Sequence, residues 1–174
     1  LGGHDNDSIL SPKLALAWEI SDTVEAYANW GRGFHSNDSR GVTAAVPAVP
    51  GLVKGTGEEV GARYQRGSFS FTATYWWLEV DSELKFVGDS NSVEPGASSR
   101  RRGYELVSFW RPVPQLAIDA SFTVSRARYF GALAAPGETQ IAGAIESAGE
   151  LGVSYIDGPW EVSARLRHLG PYPL

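Results

Sequence analysis

Residues 68–77 read SFSFTATYWW, a run in which every second residue from Phe69 to Trp77 is apolar. The positions between them are mostly serine or threonine. Successive side chains of an extended strand point to opposite sides, so this run predicts a strand with one apolar face and one polar face. Further runs with the same period of two begin near Lys13, Gln115, Glu150 and Trp160.

The connections between these runs have two different lengths. Tight turns are predicted at residues 21–23, 66–67, 112–114 and 157–159. Long polar segments are predicted at residues 34–56, 81–99 and 130–147. Short turns alternating with long loops are typical of a transmembrane β-barrel, whose turns face the periplasm and whose loops face outward. We therefore predict an all-β fold, an antiparallel up-and-down transmembrane β-barrel segment of about eight strands.

A soluble β-sandwich also has short alternating strands and is the alternative fold. Three features favour lipid: polar faces that carry small residues and charges of both signs, strands of about 9–11 residues, and aromatic residues grouped at the strand ends. The aromatic group near the short turns is Tyr64, Trp110, Tyr155 and Trp160. The group toward the long segments is Trp30, Phe34, Trp77, Tyr129 and Phe130.

Composition excludes several classes of function. The chain of 174 residues contains no cysteine, which excludes disulfides and thiolate metal sites. Its net charge of -5 argues against nucleic-acid binding, which usually needs a basic face. No serine lies in a Gly-x-Ser-x-Gly elbow, no pair of histidines has ligand spacing, and the carboxylates of the polar faces stand singly. We therefore expect no enzymatic activity, no resident metal and no cofactor.

Five short segments, taken in order, resemble the barrel of TonB-dependent outer-membrane receptors. They are SPKL at 11–14, YANWGRGFHSND at 27–38, GEEVGAR at 57–63, RGYEL at 102–106 and RHLGPYPL at 167–174. The resemblance implies a barrel of about 22 strands in the bacterial outer membrane with a plug domain inside its lumen. We expect residues 1–174 to be a partial receptor barrel, with the plug domain and the terminal strands absent from this sequence.

The resemblance also implies a function, the active import of a scarce large solute, most often a ferric siderophore. The implied partners are the receptor's own plug domain, the inner-membrane TonB complex acting through that plug, outer-membrane lipid and lipopolysaccharide, and a metal chelate as ligand. Two alternatives remain open: a small passive or structural outer-membrane barrel, and a soluble carbohydrate-binding β-sandwich.

Two groups of candidate site residues follow from this assignment. A ligand vestibule at the long segments would include His35, Asn37, Asp38, Arg100, Arg101 and Arg102. The wall of the lumen against the plug would include Thr72, Asp119, Ser121, Glu150 and Arg165. His35 also fits a solvated loop residue. The run Arg100-Arg101-Arg102 fits the binding of lipopolysaccharide phosphates or of an anionic ligand, or a solvated strand end offset by nearby acids.

Overall fold

A computed structural model describes residues 8–36, 51–82, 84–87, 92–131 and 139–173, and for 84–87 and 92–95 it describes the backbone alone. These residues contain ten β-strands. Their bounds are β1 Lys13–Ser21, β2 Val24–Ser36, β3 Leu52–Arg66, β4 Phe69–Val80, β5 Leu84–Val87, β6 Ser92–Pro95, β7 Ser98–Val113, β8 Leu116–Phe130, β9 Ser147–Asp157 and β10 Trp160–Leu169. Within the described ranges, no helix has the length and apolar character needed to cross a membrane.

Eight of the strands form one antiparallel meander. Their order in the sheet is β1-β2-β3-β4-β7-β8-β9-β10, so each strand pairs with its neighbours along the chain, apart from the step across β5 and β6. Among the described strands, β1 and β10 each pair on one side only, and the sheet is open. The predicted up-and-down order of eight strands is confirmed.

The remaining two strands form a small hairpin that the sequence did not predict. Strands β5 and β6 pair with each other in the connection between β4 and β7, with Leu84 opposite Pro95 and Val87 opposite Ser92. Each strand has only four residues. A run that short contains too few alternations to be recognised as a strand.

Glycine forms two of the short turns. Gly67 has φ +57° between β3 and β4, and Gly158 has φ +56° between β9 and β10. Each is the first of two loop residues, where the hairpin turns of types I′ and II′ both need positive φ and favour glycine. These turns match the predicted positions at residues 66–67 and 157–159.

The longest strands exceed the predicted length of about 9–11 residues. β3 and β8 have 15 residues each and β7 has 16. At about 3.3 Å per residue and a tilt of about 45°, a strand of 15 residues spans about 35 Å along the membrane normal, slightly more than a hydrocarbon layer of about 30 Å. The predicted connection 34–56 is accordingly shorter, because β2 continues to Ser36 and β3 begins at Leu52.

The register assigns every side chain of the sheet to one of two faces. We call the face that carries Leu106 the outer face and the opposite face the inner face. Leu106 lies opposite Ala73 and Phe122 in the neighbouring strands, so these three share the outer face. The apolar rows of all eight runs fall on this side, including the strands near Val24, Glu58 and Arg102 whose faces the sequence left ambiguous.

The outer face is covered by no second layer in the described part of the chain. Leu14, Trp18 and Leu166 are 68%, 67% and 68% exposed. The buried hydrophobic residues among those described are few: Tyr27, Val53, Val80, Ala97 and Ile141. A large apolar side chain gains about 1.5–3 kcal/mol on leaving water, so a face of this kind needs an apolar surrounding. The eight long strands also lie in one sheet and are not divided between two packed sheets, so the alternative of a soluble sandwich is wrong.

The aromatic groups follow the same division with one exception. Tyr64, Trp110, Tyr155 and Trp160 all lie on the outer face near the short turns. In the second group Tyr129 lies opposite Ser99 on the inner face, and the other members lie on the outer face. The prediction for Tyr129 was wrong because its neighbour Phe130, one residue further, takes the outer position.

Candidate functional site

The inner face gathers the predicted lumen-wall residues. One row of cross-strand partners runs from Thr72 through Val107 and Ser121 to Glu150. A neighbouring row joins Asp119 through Gly152 to Arg165. All five predicted residues therefore share one face, although their positions in the sequence are far apart. Their contact with a plug stays a prediction.

Three strands contribute to an ion-pair network on this face. Arg165 donates from Nη1 to Asp119 Oδ2 at 3.0 Å and from Nη2 to Asp119 Oδ1 at 3.3 Å, a two-point contact. The same guanidinium donates to Glu150 Oε1. Arg167 Nε donates to Glu150 Oε2 at 3.0 Å. The network joins β8, β9 and β10, so it fixes the relative register of three strands on the polar side of the sheet.

Gly152 makes room for this network. A Cβ atom at this position would lie 2.4 Å from Asp119 Oδ1 and 2.8 Å from Arg165 Nη2. Any larger residue would have to displace the contact between the carboxylate and the guanidinium. Glycine at the centre of a strand costs some stability, and the ion pair that it admits explains its presence.

A second cluster forms where Tyr27 of β2 lies across Gly61 of β3. The Tyr27 hydroxyl and Thr74 Oγ1 share a hydrogen bond of 2.5 Å, and Arg63 Cζ lies 4.2 Å from the centre of the tyrosine ring. Arg63 also forms an ion pair with Glu25. A Cβ on Gly61 would come within 2.5 Å of the tyrosine ring, so only glycine allows the ring to lie there.

A groove of about 580 Å³ opens on the same face toward the long-connection end. Lys13, Asn29, Glu59 and Trp76 line it, and Asn29 Nδ2 donates to Glu59 Oε1 at 2.6 Å. A second groove of about 400 Å³ shares Lys13 with the first and continues to His35. The pairs Gly31–Gly57 and Gly33–Gly55 form much of the floor, so a bound molecule can approach the backbone closely.

The predicted vestibule residues separate into three groups. His35 and Arg101 lie on the inner face, opposite Val53 and Leu78 respectively. Arg100 and Arg102 lie on the outer face, because residues on either side of Arg101 point away from it. Asn37 and Asp38 lie outside the described residues. The arginine triplet therefore does not form one site, and the ligand role of its members stays a prediction.

Sequence reasoning did not identify several inner-face residues. Tyr27, Glu59 and Trp76 contribute to clusters that depend on register across strands, which the linear sequence does not contain. On the outer face, Arg126 and Arg128 were missed as well, although an Arg-x-Arg pattern in a strand places both side chains on one face. Among the residues that the structure describes, no group of three or more His, Asp or Glu has the arrangement of a metal site.

A family model described as TonB-dependent receptor-like, beta-barrel, matches residues 2–173. The chain belongs to this family. A search of the curated proteins found no match. TonB-dependent receptor barrels lie in the outer membrane of Gram-negative bacteria, so the outer face of this sheet meets lipid and its inner face lines the interior.

Solved receptors share the fold of this TonB-dependent receptor barrel at low identity. BauA, the ferric preacinetobactin receptor of Acinetobacter baumannii, has a TM-score of 0.71 and 18% identity, over 91% of this chain and 25% of its own. FpvA of P. aeruginosa, bound to a pyoverdine and iron, has a TM-score of 0.72 and 16% identity, over 92% and 22%. The copper transporter OprC has a TM-score of 0.70 and 15% identity, over 90% and 25%. This chain spans about a quarter of their length.

Proposed function

We propose that the chain is part of the barrel of an outer-membrane importer that takes up a metal chelate of the ferric siderophore class by TonB-dependent active transport. The observation that carries the proposal is a polar, charge-bearing inner face behind a continuous apolar outer face, in a chain of this family. BauA and FpvA are receptors for ferric siderophores and OprC is a copper transporter, which supports metal-containing cargo.

In this proposal residues 1–174 form one portion of a barrel of about 22 strands, and the plug domain and terminal strands come from the rest of the receptor. Thr72, Asp119, Ser121, Glu150 and Arg165 face the plug across the lumen. The Asp119–Arg165 contact at 3.0 Å supports a preformed wall, because the charges already neutralise each other before the plug docks. Energy reaches the site from the TonB complex through that plug.

The ligand vestibule lies at the long-connection end of the inner face. His35 and Arg101 contribute directly, and Asn37 and Asp38 belong to the segment that follows β2. Cation and imidazole groups suit the carboxylate, catecholate or hydroxamate oxygens that many iron chelates expose. The groove that continues to His35 supports this position, since its glycine floor admits a bulky solute.

Titration of the intact receptor with ferric siderophores, iron-free siderophores, haem and cobalamin tests the proposal. We expect saturable binding to one metal chelate, weakened about tenfold by Arg101→Gln because one charge-assisted hydrogen bond is lost. Arg111→Gln, at the opposite end of the same strand β7, is the matched control and should bind as the native receptor does. Absence of saturable binding to every chelate and cofactor would contradict the proposal.

A further inference from the structure

The two adjoining grooves of the inner face form a trough whose floor is glycine. Gly31 lies opposite Gly57, and in a neighbouring row Gly33 lies opposite Gly55. A Cβ at Gly33 would meet nothing within 4 Å, and a Cβ at Gly57 would meet only Leu78 Cδ1, at 3.7 Å. The floor is therefore bare backbone, against which a flat group can lie. We call these grooves, of about 580 and 400 Å³, the glycine trough.

Apolar side chains form the wall of the trough on the β4 side. Trp76 lies across Gly103 of β7, where a Cβ would come within 2.8 Å of Cζ2 of the indole. Trp76 is half-buried there and lines the trough. Leu78 continues the wall toward the long connections. The surface of the trough is mainly apolar, although it lies on the polar face of the sheet, so it suits an apolar plate better than a hydrated ion.

Opposite charges lie at two sides of the trough. Lys13 lies on the β1 side, with its Cγ 3.3 Å from the position of a Cβ on Gly31. Lys13 forms no ion pair with any residue that the structure describes. Glu59 lies toward the short turns and accepts a hydrogen bond from Asn29 Nδ2 at 2.6 Å. An anionic group in the trough is therefore attracted to the Lys13 side and repelled from the Glu59 side.

The trough lies at the level of the outward-facing membrane interface. Its residues Gly31 and Trp76 are the chain neighbours of Trp30 and Trp77, which lie on the outer face in the aromatic group near the long connections. Aromatic residues of this kind mark the edge of the hydrocarbon layer. The trough continues to His35 at the long-connection end, so a solute that arrives from outside reaches it along the inner face.

We propose that the glycine trough holds an aromatic ring of the imported chelate, a ring that carries anionic oxygens as a catecholate or a phenolate does. The ring packs against Trp76 and the backbone of Gly57, and its oxygens accept charge-assisted hydrogen bonds from the Lys13 ammonium group. A hydroxamate or a hydroxycarboxylate chelate has no ring to fill the trough. The inference rests on the proposed function and selects the aryl class of chelate within it. Trp76 and Lys13 are then specificity-determining residues.

The test measures the binding of three ferric chelates to the intact receptor. The first is an anionic tris-catecholate, which has rings. The second is an anionic citrate-type hydroxycarboxylate, which has charge but no ring, and the third is a neutral trihydroxamate, which has neither. We expect the native receptor to bind the tris-catecholate about tenfold or more tightly than the other two, because only this chelate uses both the apolar wall and the ammonium group.

Trp76→Leu should weaken binding of the tris-catecholate about fivefold or more and leave the other two chelates unchanged, because only a ring loses its packing partner. Trp76→Phe keeps an aromatic wall and should retain most of the native affinity. The matched control is Phe109→Leu, which also removes an aromatic side chain from the inner face, but near the short turns, opposite Ser70 and Asp119. It should bind all three chelates as the native receptor does.

Lys13→Gln should weaken binding of the tris-catecholate about tenfold and leave the neutral trihydroxamate unchanged, because a charge-assisted contact is lost. Its matched control is Lys54→Gln. Lys54 is exposed and lies opposite Phe34 on the outer face, near the same end of the sheet. This variant removes the same charge and should change the affinity for none of the three chelates.

Several results would overturn the inference and leave the proposed importer intact. They are tighter or equal binding of a chelate without rings, a loss in Trp76→Leu that is equal for all bound chelates or that Trp76→Phe shares, an unchanged affinity of Lys13→Gln for the tris-catecholate, and the same loss in either control. Absence of saturable binding of all three chelates would overturn the inference together with the proposed function.

Discussion

Replacement of Leu106 by arginine is expected to destabilise the folded receptor by about 2–4 kcal/mol, the cost of a charge on the lipid side of a barrel near the middle of the bilayer. Leu106 lies midway between Trp110, near the short turn, and Arg102, at the charged edge. The same replacement at Val107 is expected to cost less than about 1 kcal/mol, because that side chain meets the aqueous interior beside Thr72 and Ser121.

The two positions are a matched pair because they are adjacent and almost equally exposed, at 39% for Leu106 and 41% for Val107. Exposure alone predicts the same result at both, whereas the register predicts different results. Urea unfolding of the intact receptor in lipid vesicles, followed by tryptophan fluorescence, measures the free energy of unfolding. Equal costs for the two variants would show that the faces are assigned incorrectly.

Gly103→Ala is expected to destabilise the barrel by about 1–3 kcal/mol through overpacking. A Cβ at this position would lie 2.4 Å from the carbonyl oxygen of Val124 and 2.8 Å from Trp76 Cζ2. The carbonyl belongs to the backbone of the paired strand, so it cannot rotate away as a side chain does. Relief requires a shift of β7 against β8, which weakens the hydrogen bonds of that pair.

Gly33→Ala is the control for this prediction. Gly33 also lies on the inner face of a strand, but a Cβ there meets nothing within 4 Å. Its replacement is expected to be neutral or to stabilise by about 0.4–1 kcal/mol, because alanine reduces the freedom of the unfolded chain. Similar unfolding midpoints for both alanine variants, measured in the same vesicles, would argue against close contact at Gly103.

Strands with an uninterrupted alternation were predictable from the sequence. The run from Phe69 to Trp77 and the run from Leu116 to Val124 keep one apolar face throughout, and the opposite face is polar or small apart from Trp76. Both lie within the apolar band, where lipid selects every second residue. The fold class followed from these strands and from the lengths of their connections, whereas the family resemblance came from five short segments elsewhere in the chain.

The parts of the strands that extend beyond the apolar band were harder to interpret. Outside the apolar band the outer face does not contact hydrocarbon, so its residues need not be apolar. Glu58 lies next to Val60 on the outer face of β3, and Arg32 lies next to Trp30 on the outer face of β2. For the same reason, the sequence did not show that the three consecutive arginines divide between the two faces. Arg101 lies on the inner face, and Arg100 and Arg102 lie on the outer face. Counting back along the strand from Leu106, with alternate residues on alternate faces, would have assigned Arg102 and Arg100 to the outer face and Arg101 to the inner face.

The clusters of the inner face could not be predicted because they depend on register between strands. Asp119 and Arg165 are 46 residues apart and meet only when β8, β9 and β10 are aligned. The sequence identified both as candidates for the lumen wall but did not pair them. The need for glycine at Gly152 and Gly61 likewise becomes visible only when the side chains that lie across these positions are known.

The central claim is that one face of each strand meets hydrocarbon and the other meets water. Because the chain contains no cysteine, single cysteines can be introduced at residues 116–124 of β8 and labelled with a fluorophore in the intact receptor in vesicles. We predict that lipid-attached nitroxide quenches the label at the even positions, from Leu116 to Val124, and that aqueous iodide quenches it at the odd positions between them. Quenching without a period of two, or with the two sets exchanged, would contradict the account.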